Sequence, residues 1–426
     1  MPESHPGSRG RRLTTAQAAD LLGVKPATVY AYVSRGLLRS ERTPGGRAST
    51  FDAKSVEELA RRTRGDRDRV ITGASGRMFS LRTSITLIES DRLWFRGVDA
   101  VELARSHTYE EVAEWLWTGQ LRAGARFSPP AALVDAARAA IAALPATAGQ
   151  LDRLRAAAVA AASADPLRFE SGRDAVLDTA RSLIGTLVAA LPTAAEWHGA
   201  KAVPSLAATA PQTLADMLWR RLTVTAPDER SIAALDAALG LLADHELAVS
   251  TLAARVAASA RAHPYAVVSA ALGALDGPLH GAASGLAHRM LAEVVDRGSA
   301  APVVAAYLRE GRRIPGIGHS IYEAEDPRAT ALFGLLEQIP QTAEAVAAAR
   351  EVYDVAGRQV TPPNVDLALA ALSVGMDMPP DAGETIFAIS RTAGWIAHAL
   401  EEYAEAPLRL RLSAKYAGPH PPQPLP

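Results

Sequence analysis

The chain has 426 residues, long enough for two or three domains with substantial cores, and a net charge of −1. Hydrophobic residues make up 48% and charged residues 21%, with mean hydropathy +0.03, the balance of a globular protein rather than a disordered or membrane-spanning one. Cysteine is absent, which excludes disulfides and thiolate chemistry and fits a reducing cytoplasm, and no apolar run approaches the roughly 20 residues of a membrane span.

The opening "MPESHPGSRGRR" lacks the apolar core of a secretory signal, and residues 1–10 and 419–426 are expected to be disordered. Residues 1–69 hold 14 Lys and Arg against 8 Asp and Glu, a balance of +6, so the remainder carries −7. A basic front on an acidic body points to a polyanionic partner for the front; a well-solvated small domain is the plainer alternative.

Residues 11–65 read as two short helices followed by a hairpin. Thr14 or Thr15 caps a helix over Ala16–Leu22 that Gly23 ends, and Pro26 opens a second through Ala27, Thr28, Val29 and Tyr30. Ala18, Leu21, Leu22, Val24 and Val29 form the apolar seam between them. The pattern resembles the winged helix-turn-helix of the MerR and excisionase families, with "GLLRSERTPGGRASTF" as the wing turning at Pro44-Gly45-Gly46. In the DNA-binding reading Lys25, Thr28, Tyr30, Tyr32 and Arg35 face a major groove while Arg42 and Arg47 meet phosphates. The alternative is that the module docks on its own body or on a partner protein.

The rest is predominantly helical, as in "VDAARAAIAAL", "ATALFGLLEQI" and the long stretch from Ser231 to Ala262. "RTSITLIES" is a short strand candidate. "PATAGQ" and the Pro/Gly-rich pieces near 262–280 and 311–318 read as connections. Four pieces bring polar groups into this background: His245 inside a long apolar helix, "GPLHGAAS" with His280, "PGIGHSIYEAEDPRA" with His319 and Arg328, and "TPPNVDLALA", where Asp366 opens a helix. Each alone is weak, since a lone histidine is usually a packed or surface residue. Together they have the character of a site assembled from separated elements. "GIGH" lacks the GxxxxGK[ST] spacing of an NTPase loop, and no HExxH or carboxylate-rich metal cluster is present. His288 and His398 are expected to serve packing or lie on the surface; His5, His107, His198, His263 and His420 match no motif.

These four pieces run in order between "SITLIESDRLWFRGVDAVELARSHTYEEVAEWLWTGQL" and the closing "ISRTAGWIAHALEEY" and "RLRLSAKYAG". In this the body resembles the citrate synthase family. The resemblance implies an all-α fold, a homodimer, a large domain over 70–276 and 375–418, and a small domain over 277–374. It implies Asp366 as the base that deprotonates an acyl-CoA, His280 as donor to the enol oxygen, and His319 as donor to the carbonyl of a 2-oxo acid. The helix expected to start just after His280 would help keep that imidazole neutral. His245, Arg328, Arg391 and, from a second subunit, Arg411 would hold carboxylates; Ile314, Gly316, Ile317 and Gly318 would contact CoA. The reaction expected is condensation of acetyl-CoA or propionyl-CoA with oxaloacetate to citrate or 2-methylcitrate, without metal or cofactor. A DNA-binding regulator whose synthase-like body senses acyl-CoA or oxo acids is the alternative. Ala248, Ala282, Ser284, Ser320 and Ser413 depart from common family residues, and Ala282 and Ser284 are expected to tune the acyl-CoA fit.

Overall fold

A computed structural model of the chain describes residues 81–198, 212–277, 280–356 and 362–410 continuously. It also describes 12–22, 28–29, 32–33, 38, 40–42, 49–53, 55–56, 71–72, 78–79, 416–420 and 422–423. The chain divides into two compact units, residues 1–82 with 411–426, and residues 83–410.

In the first unit β1 (Arg12–Thr14), β3 (Ser49–Asp52) and β2 (Ser40–Arg42) form an antiparallel sheet in that spatial order, beside α1 (Thr15–Leu22). Thr14 is the cap: its Oγ1 accepts the Gln17 N–H at 3.3 Å. The wing hairpin is β2 paired with β3, Ser40 opposite Phe51. Ala18, Val29, Phe51 and Val56 are buried in the small core, so two members of the expected seam are in place. Thr28 and Tyr32 are both partly buried, and Tyr32 packs against this core. Lys25, Tyr30, Arg35 and Arg47, and the side chains of Leu21, Leu22, Val24 and Arg42, lie outside the described residues. A two-stranded ladder, β4 (Ile71–Thr72) with β5 (Met78–Phe79), follows.

The second unit opens with a three-stranded antiparallel meander, β6 (Thr86–Glu89), β7 (Arg92–Phe95) and β8 (Val98–Asp99). The strand expected in "RTSITLIES" is β6; its two partners went unread because they are short and end in turns. Helices then follow: α2 (Ala100–Ser106), α3 (Tyr109–Thr118), α4 (Ala131–Ala142), α5 (Gln150–Ala164), α6 (Arg173–Ala190), α7 (Ala194–His198), α8 (Leu214–Leu222) and α9 (Glu229–Leu242). After them come α10 (Val249–Ser259), α11 (Pro264–Leu275), α12 (Ala283–Arg297), α13 (Ala300–Arg309), α14 (Pro327–Leu336), α15 (Ala343–Ala356), α16 (Val365–Gly375) and α17 (Ala382–Ala404).

Three sequence expectations are corrected. The segment near 262–280 is mostly helix α11, with Pro264 in its first turn and His263 Nδ1 accepting the Ala266 N–H at 3.2 Å. Proline there starts a helix rather than ending one. The long apolar stretch through His245 is two helices, α9 and α10, separated by a turn in which Glu246 takes a positive φ of 54°. Finally, Arg173–Trp197 is long and apolar enough to cross a membrane by length and hydropathy, contrary to the composition-level reading. In the fold, 61% of that window is buried inside the unit, with Val176, Leu183, Ile184 and Leu187 in the core.

Helix α17 is the central element, with Trp395, Arg391 and His398 buried along it. It approaches the α9–α10 turn so closely that a Cβ on Gly394 would lie 2.4 Å from the Ala243 oxygen, which accepts the Gly394 N–H at 2.9 Å. Only glycine fits there. His288 and His398, expected to pack or lie on the surface, are both buried. His288 Nδ1 is 2.8 Å from Ser373 Oγ. His398 Nδ1 accepts from Arg255 at 2.8 Å and its Nε2 faces Asp244 at 3.3 Å. Arg255 also pairs with Glu401 and Glu402, each at 2.7 Å, so these buried charges are compensated.

Candidate active site

His319 lies in the loop between α13 and α14. Its Nδ1 accepts the Ile321 N–H at 3.0 Å, which leaves the proton of the neutral ring on Nε2. Arg328 Nη2 stands 3.5 Å from that Nε2. Two donors so placed do not bond each other; a shared oxygen between them would satisfy both. Burial, then the Arg328 charge, push the His319 pKa down to about 4, so the ring is neutral at pH 7.

Arg328 sits in the first turn of α14. Its Nε and Nη2 donate to Asp326, both at 2.9 Å, and the pair is almost wholly buried. Burial works against the Arg328 charge, but Asp326, Tyr322 and Asp366 together outweigh it and hold the guanidinium above its ordinary pKa. Asp326 is also the helix cap, accepting the Arg328 N–H at 3.1 Å, and it reaches the Val365 N–H at 3.0 Å. One carboxylate thus ties the start of α14 to the start of α16.

Asp366 lies in the first turn of α16, as expected from "TPPN". The cap is Asn364, whose Oδ1 accepts the Asp366 N–H at 2.9 Å while its Nδ2 donates to the Gly318 oxygen at 2.8 Å. Gly318 N–H in turn donates to Pro362 and Asn364 N–H to Gly316, so the "GIGH" loop is laced to the base of α16. Desolvation raises the Asp366 carboxyl to about pKa 6, with Arg328 opposing and Asp326 assisting. Gly316 (φ 79°) and Gly318 (φ 84°) occupy the left-handed region, and a Cβ on Gly316 would fall 2.7 Å from that of Leu367. Packing on α16 therefore accounts for Gly316. Ile314 and Ile317, partly buried, pack against the main core.

His245 is buried in the α9–α10 turn. Its Nε2 meets the Tyr322 hydroxyl at 3.0 Å, and its ring centroid is 5.4 Å from that of His319. Burial, then Arg328, Arg391 and His319, hold it well below its ordinary pKa. Arg391 is buried on α17, its Nε donating to the Leu242 oxygen at 2.8 Å, and burial lowers it to about 10.

His280 stands in the turn before α12, whose first residue is Ala283. Its pKa is lowered by burial and then by Arg391, the direction that favours the neutral ring. Its Nε2 is 2.8 Å from Ser250 Oγ, which also accepts from Trp395 Nε1 at 3.3 Å. With the indole able only to donate, the serine hydroxyl is free to donate to Nε2, and the ring then carries its proton on Nδ1. The small residues beside His280 are explained by packing: a Cβ on Gly281 would lie 2.4 Å from the Leu275 oxygen. Ser284 is likewise a packing residue. It is buried against Gly383 of α17, where a Cβ would come within 2.8 Å of the serine Cβ. Ala282 and Ala248 are the caps of α12 and α10 and contribute no side-chain acceptor. Ser320 is exposed. Arg411 and Ser413 lie outside the described residues.

Electrostatics link the site: Arg391 acts on His280 and His245, and Arg328 acts on His245, His319 and Asp366. Sequence reading missed Ser250, Tyr322, Asp326 and Asn364 as site residues. Asn364 and Asp326 had a signal, being polar residues directly before helix starts; Ser250 and Tyr322 had none.

Fold and site together define a class: a predominantly helical scaffold with neutral histidines, buried arginines and a carboxylate of raised pKa gathered from separate loops and helices. The family model for the citrate synthase C-terminal domain matches residues 75–411, and that for a helix-turn-helix domain matches residues 12–64. A citrate synthase of Synechocystis sp. is 38% identical over 188 residues, which cover 42% of this chain and 47% of that protein. The chain spans about half the length of the curated relatives it matches first, such as this one. A citrate synthase of Haloferax volcanii is 31% identical over 355 residues, 79% of this chain and 93% of that protein. The crystal structure of citrate synthase from Pyrobaculum aerophilum superposes with a TM-score of 0.65 at 27% identity, covering 84% of this chain and 97% of that one. The chain belongs to the citrate synthase family and carries a helix-turn-helix domain at its front.

Proposed function

We propose that the protein condenses an acyl-CoA, acetyl-CoA or propionyl-CoA, with oxaloacetate and water to give citrate or 2-methylcitrate and free CoA. The observation that carries this reading is Asp366, a carboxylate raised to about pKa 6 within electrostatic reach of Arg328, the arginine that stands beside the neutral His319. In this mechanism Asp366 takes a proton from the carbon next to the thioester carbonyl. His280, its tautomer set by Ser250, donates from Nδ1 to the oxygen as it gains negative charge. The enol carbon attacks the oxo-acid carbonyl and its π bond opens. The oxygen, held between His319 Nε2–H and Arg328, takes one proton and becomes the product hydroxyl, which balances the proton taken up by Asp366. Water then adds to the thioester, the C–S bond breaks and CoA departs as the thiol. Neutral histidines suit this work because they donate hydrogen bonds without adding a charge that would block Asp366 from acting as a base. Arg328 and Arg391 would hold the oxo-acid carboxylates, with His245 beside them and Arg411 supplied by a second subunit of a homodimer. Residues 277–374 would form a small domain that closes on a large one made by 70–276 and 375–418, with Ile314, Gly316, Ile317 and Gly318 against CoA. No metal or cofactor is required by this chemistry.

The test is release of free CoA from acetyl-CoA or propionyl-CoA plus oxaloacetate, followed with a thiol reagent; a chain without cysteine adds no background. No release with either thioester, together with nanomolar sequence-specific DNA binding through the helix-turn-helix, would replace this reading with that of a regulator. Turnover across acetyl-, propionyl- and butyryl-CoA assigns the acyl chain, which pocket contacts worth about 1–3 kcal/mol per methylene decide.

A pH profile is a second test. A general base works only when deprotonated, so kcat/KM is expected to be half-maximal near pH 6, where Asp366 titrates, and to fall tenfold per unit below. His319, lowered to about 4, stays neutral above that limb, and burial shifts His280 in the same direction. A limb near pH 4, the range of an unperturbed carboxylate, would contradict the assignment of Asp366.

A further inference from the structure

The β6–β7 hairpin turns through Ser90 and Asp91, with Glu89 opposite Arg92 and positive φ values of 53° and 55° at the two turn residues. A two-residue turn of this hand favours Asn-Gly or Gly-Gly, because a Cβ is unfavourable in the left-handed region. Keeping serine and aspartate there costs stability that glycine would restore, which directs attention to what the side chains do. Asp91 has an evident use. Its Oδ1 accepts the Glu323 N–H at 2.8 Å and its Oδ2 the Ala324 N–H at 2.9 Å. These two bonds hold the carboxyl below its ordinary pKa.

The loop so held is the one that carries His319 and Tyr322. Ser320, Ile321, Glu323, Ala324 and Glu325 are exposed and only Tyr322 is buried, so packing fixes little of it. The hairpin's other contacts reach the second loop of the site. Thr86 Oγ1 donates to Asp244 at 2.5 Å, and the Ile88 N–H donates to Glu246 Oε1 at 3.1 Å, on either side of His245. Glu246 is itself in the left-handed region, at φ 54°. Strain is thus stored on both sides of this junction. The two held loops then meet through His245 Nε2 and the Tyr322 hydroxyl at 3.0 Å.

We propose that the β6–β7 hairpin is a clamp that sets the spacing between the His245 turn and the His319–Tyr322 loop, with Asp91 as the positioning residue. Asp91 touches no reacting atom; it acts through the backbone of Glu323 and Ala324. The identity of the oxo acid used below rests on the function proposed above, whereas the clamp itself does not.

The experiment compares the full chain with Asp91→Gly, Asp91→Asn and Ser90→Gly. Asp91→Gly suits the turn better than the native residue but removes the carboxylate. It is expected to keep or raise Tm, yet to speed amide exchange of Glu323 and Ala324 at least tenfold. It should also raise KM for oxaloacetate at least fivefold, with KM for acetyl-CoA unchanged within twofold. Asp91→Asn keeps one acceptor and should fall between. Ser90→Gly relieves the same turn without touching the clamp and should raise Tm with exchange and kinetics unchanged. Exchange of the two amides within twofold of wild type in Asp91→Gly would overturn the proposal, as would equal rises in both KM values. If the wild-type protein releases no CoA, the proposed reaction falls while the exchange comparison, which needs no substrate, still decides the clamp.

Discussion

Replacing Asp366 with alanine is expected to lower kcat at least about 10²-fold, the lower end for a positioned general base, with KM for both substrates changed only a few-fold. The expectation follows from where the carboxylate stands. It is in the first turn of α16, its N–H is capped by Asn364, and desolvation has raised it to about pKa 6. A carboxylate at its ordinary pKa is a feeble base toward a carbon acid. Raising it two units strengthens it while leaving most molecules deprotonated at pH 7. Little else depends on this side chain: the α16 cap is made by Asn364 and the junction to α14 by Asp326, so the alanine variant should fold normally. Single-turnover acyl-CoA consumption would read the step directly. A decrease smaller than tenfold would remove Asp366 from the role of base.

The second large effect concerns stability. Arg328→Met is expected to destabilise the fold by about 3–5 kcal/mol, because it leaves Asp326 as a buried carboxylate without its cation. Asp326 is about 1% exposed and would retain only the N–H groups of Arg328 and Val365, at 3.1 and 3.0 Å. Adding Asp326→Asn should recover part of the loss, since the charge is then gone as well. The double variant is expected to be less destabilised than the sum of the single changes by at least about 1 kcal/mol, the coupling of residues in direct contact. Urea unfolding of the four proteins measures this, and additivity would show that the pair contributes no mutual stabilisation. Either variant also loses the donor beside His319 Nε2 or its orientation, so catalysis should fall together with stability.

How far these residues could be recognised beforehand varied with the kind of signal. His280, His319 and Asp366 were visible because each sits in a loop or first helical turn marked by proline or glycine, where local chemistry sets the backbone. The helix-turn-helix was visible for the same reason, with Thr14 at its cap and a Pro-Gly-Gly triplet in the sequence between the strands of its wing. His245 reads as lying inside a helix because Ala, Leu and Glu around it are good helix formers; in the fold it lies in a turn that packs on Gly394 of α17 and is bonded to Thr86 and Ile88. The 262–280 segment differs in the opposite direction: its proline and glycine content reads as a connection, yet Pro264 stands in a first turn, where proline starts a helix.

What the sequence by itself determined was the helical class, the front module and the list of chemical groups, because these depend on periodicity, capping and residue type within a few positions. Tertiary structure alone decided their state. Asp366 is raised and His319 lowered by burial and by charges brought from other segments, and Ser250 meets His280 from 30 positions earlier in the chain. It also decided that Gly281, Ser284 and Gly316 serve helix packing, and that Asp91, more than 200 residues away, holds the His319 loop. Desolvation, charge proximity and close backbone approach are properties of distances between segments, and those distances exist only once the chain is packed.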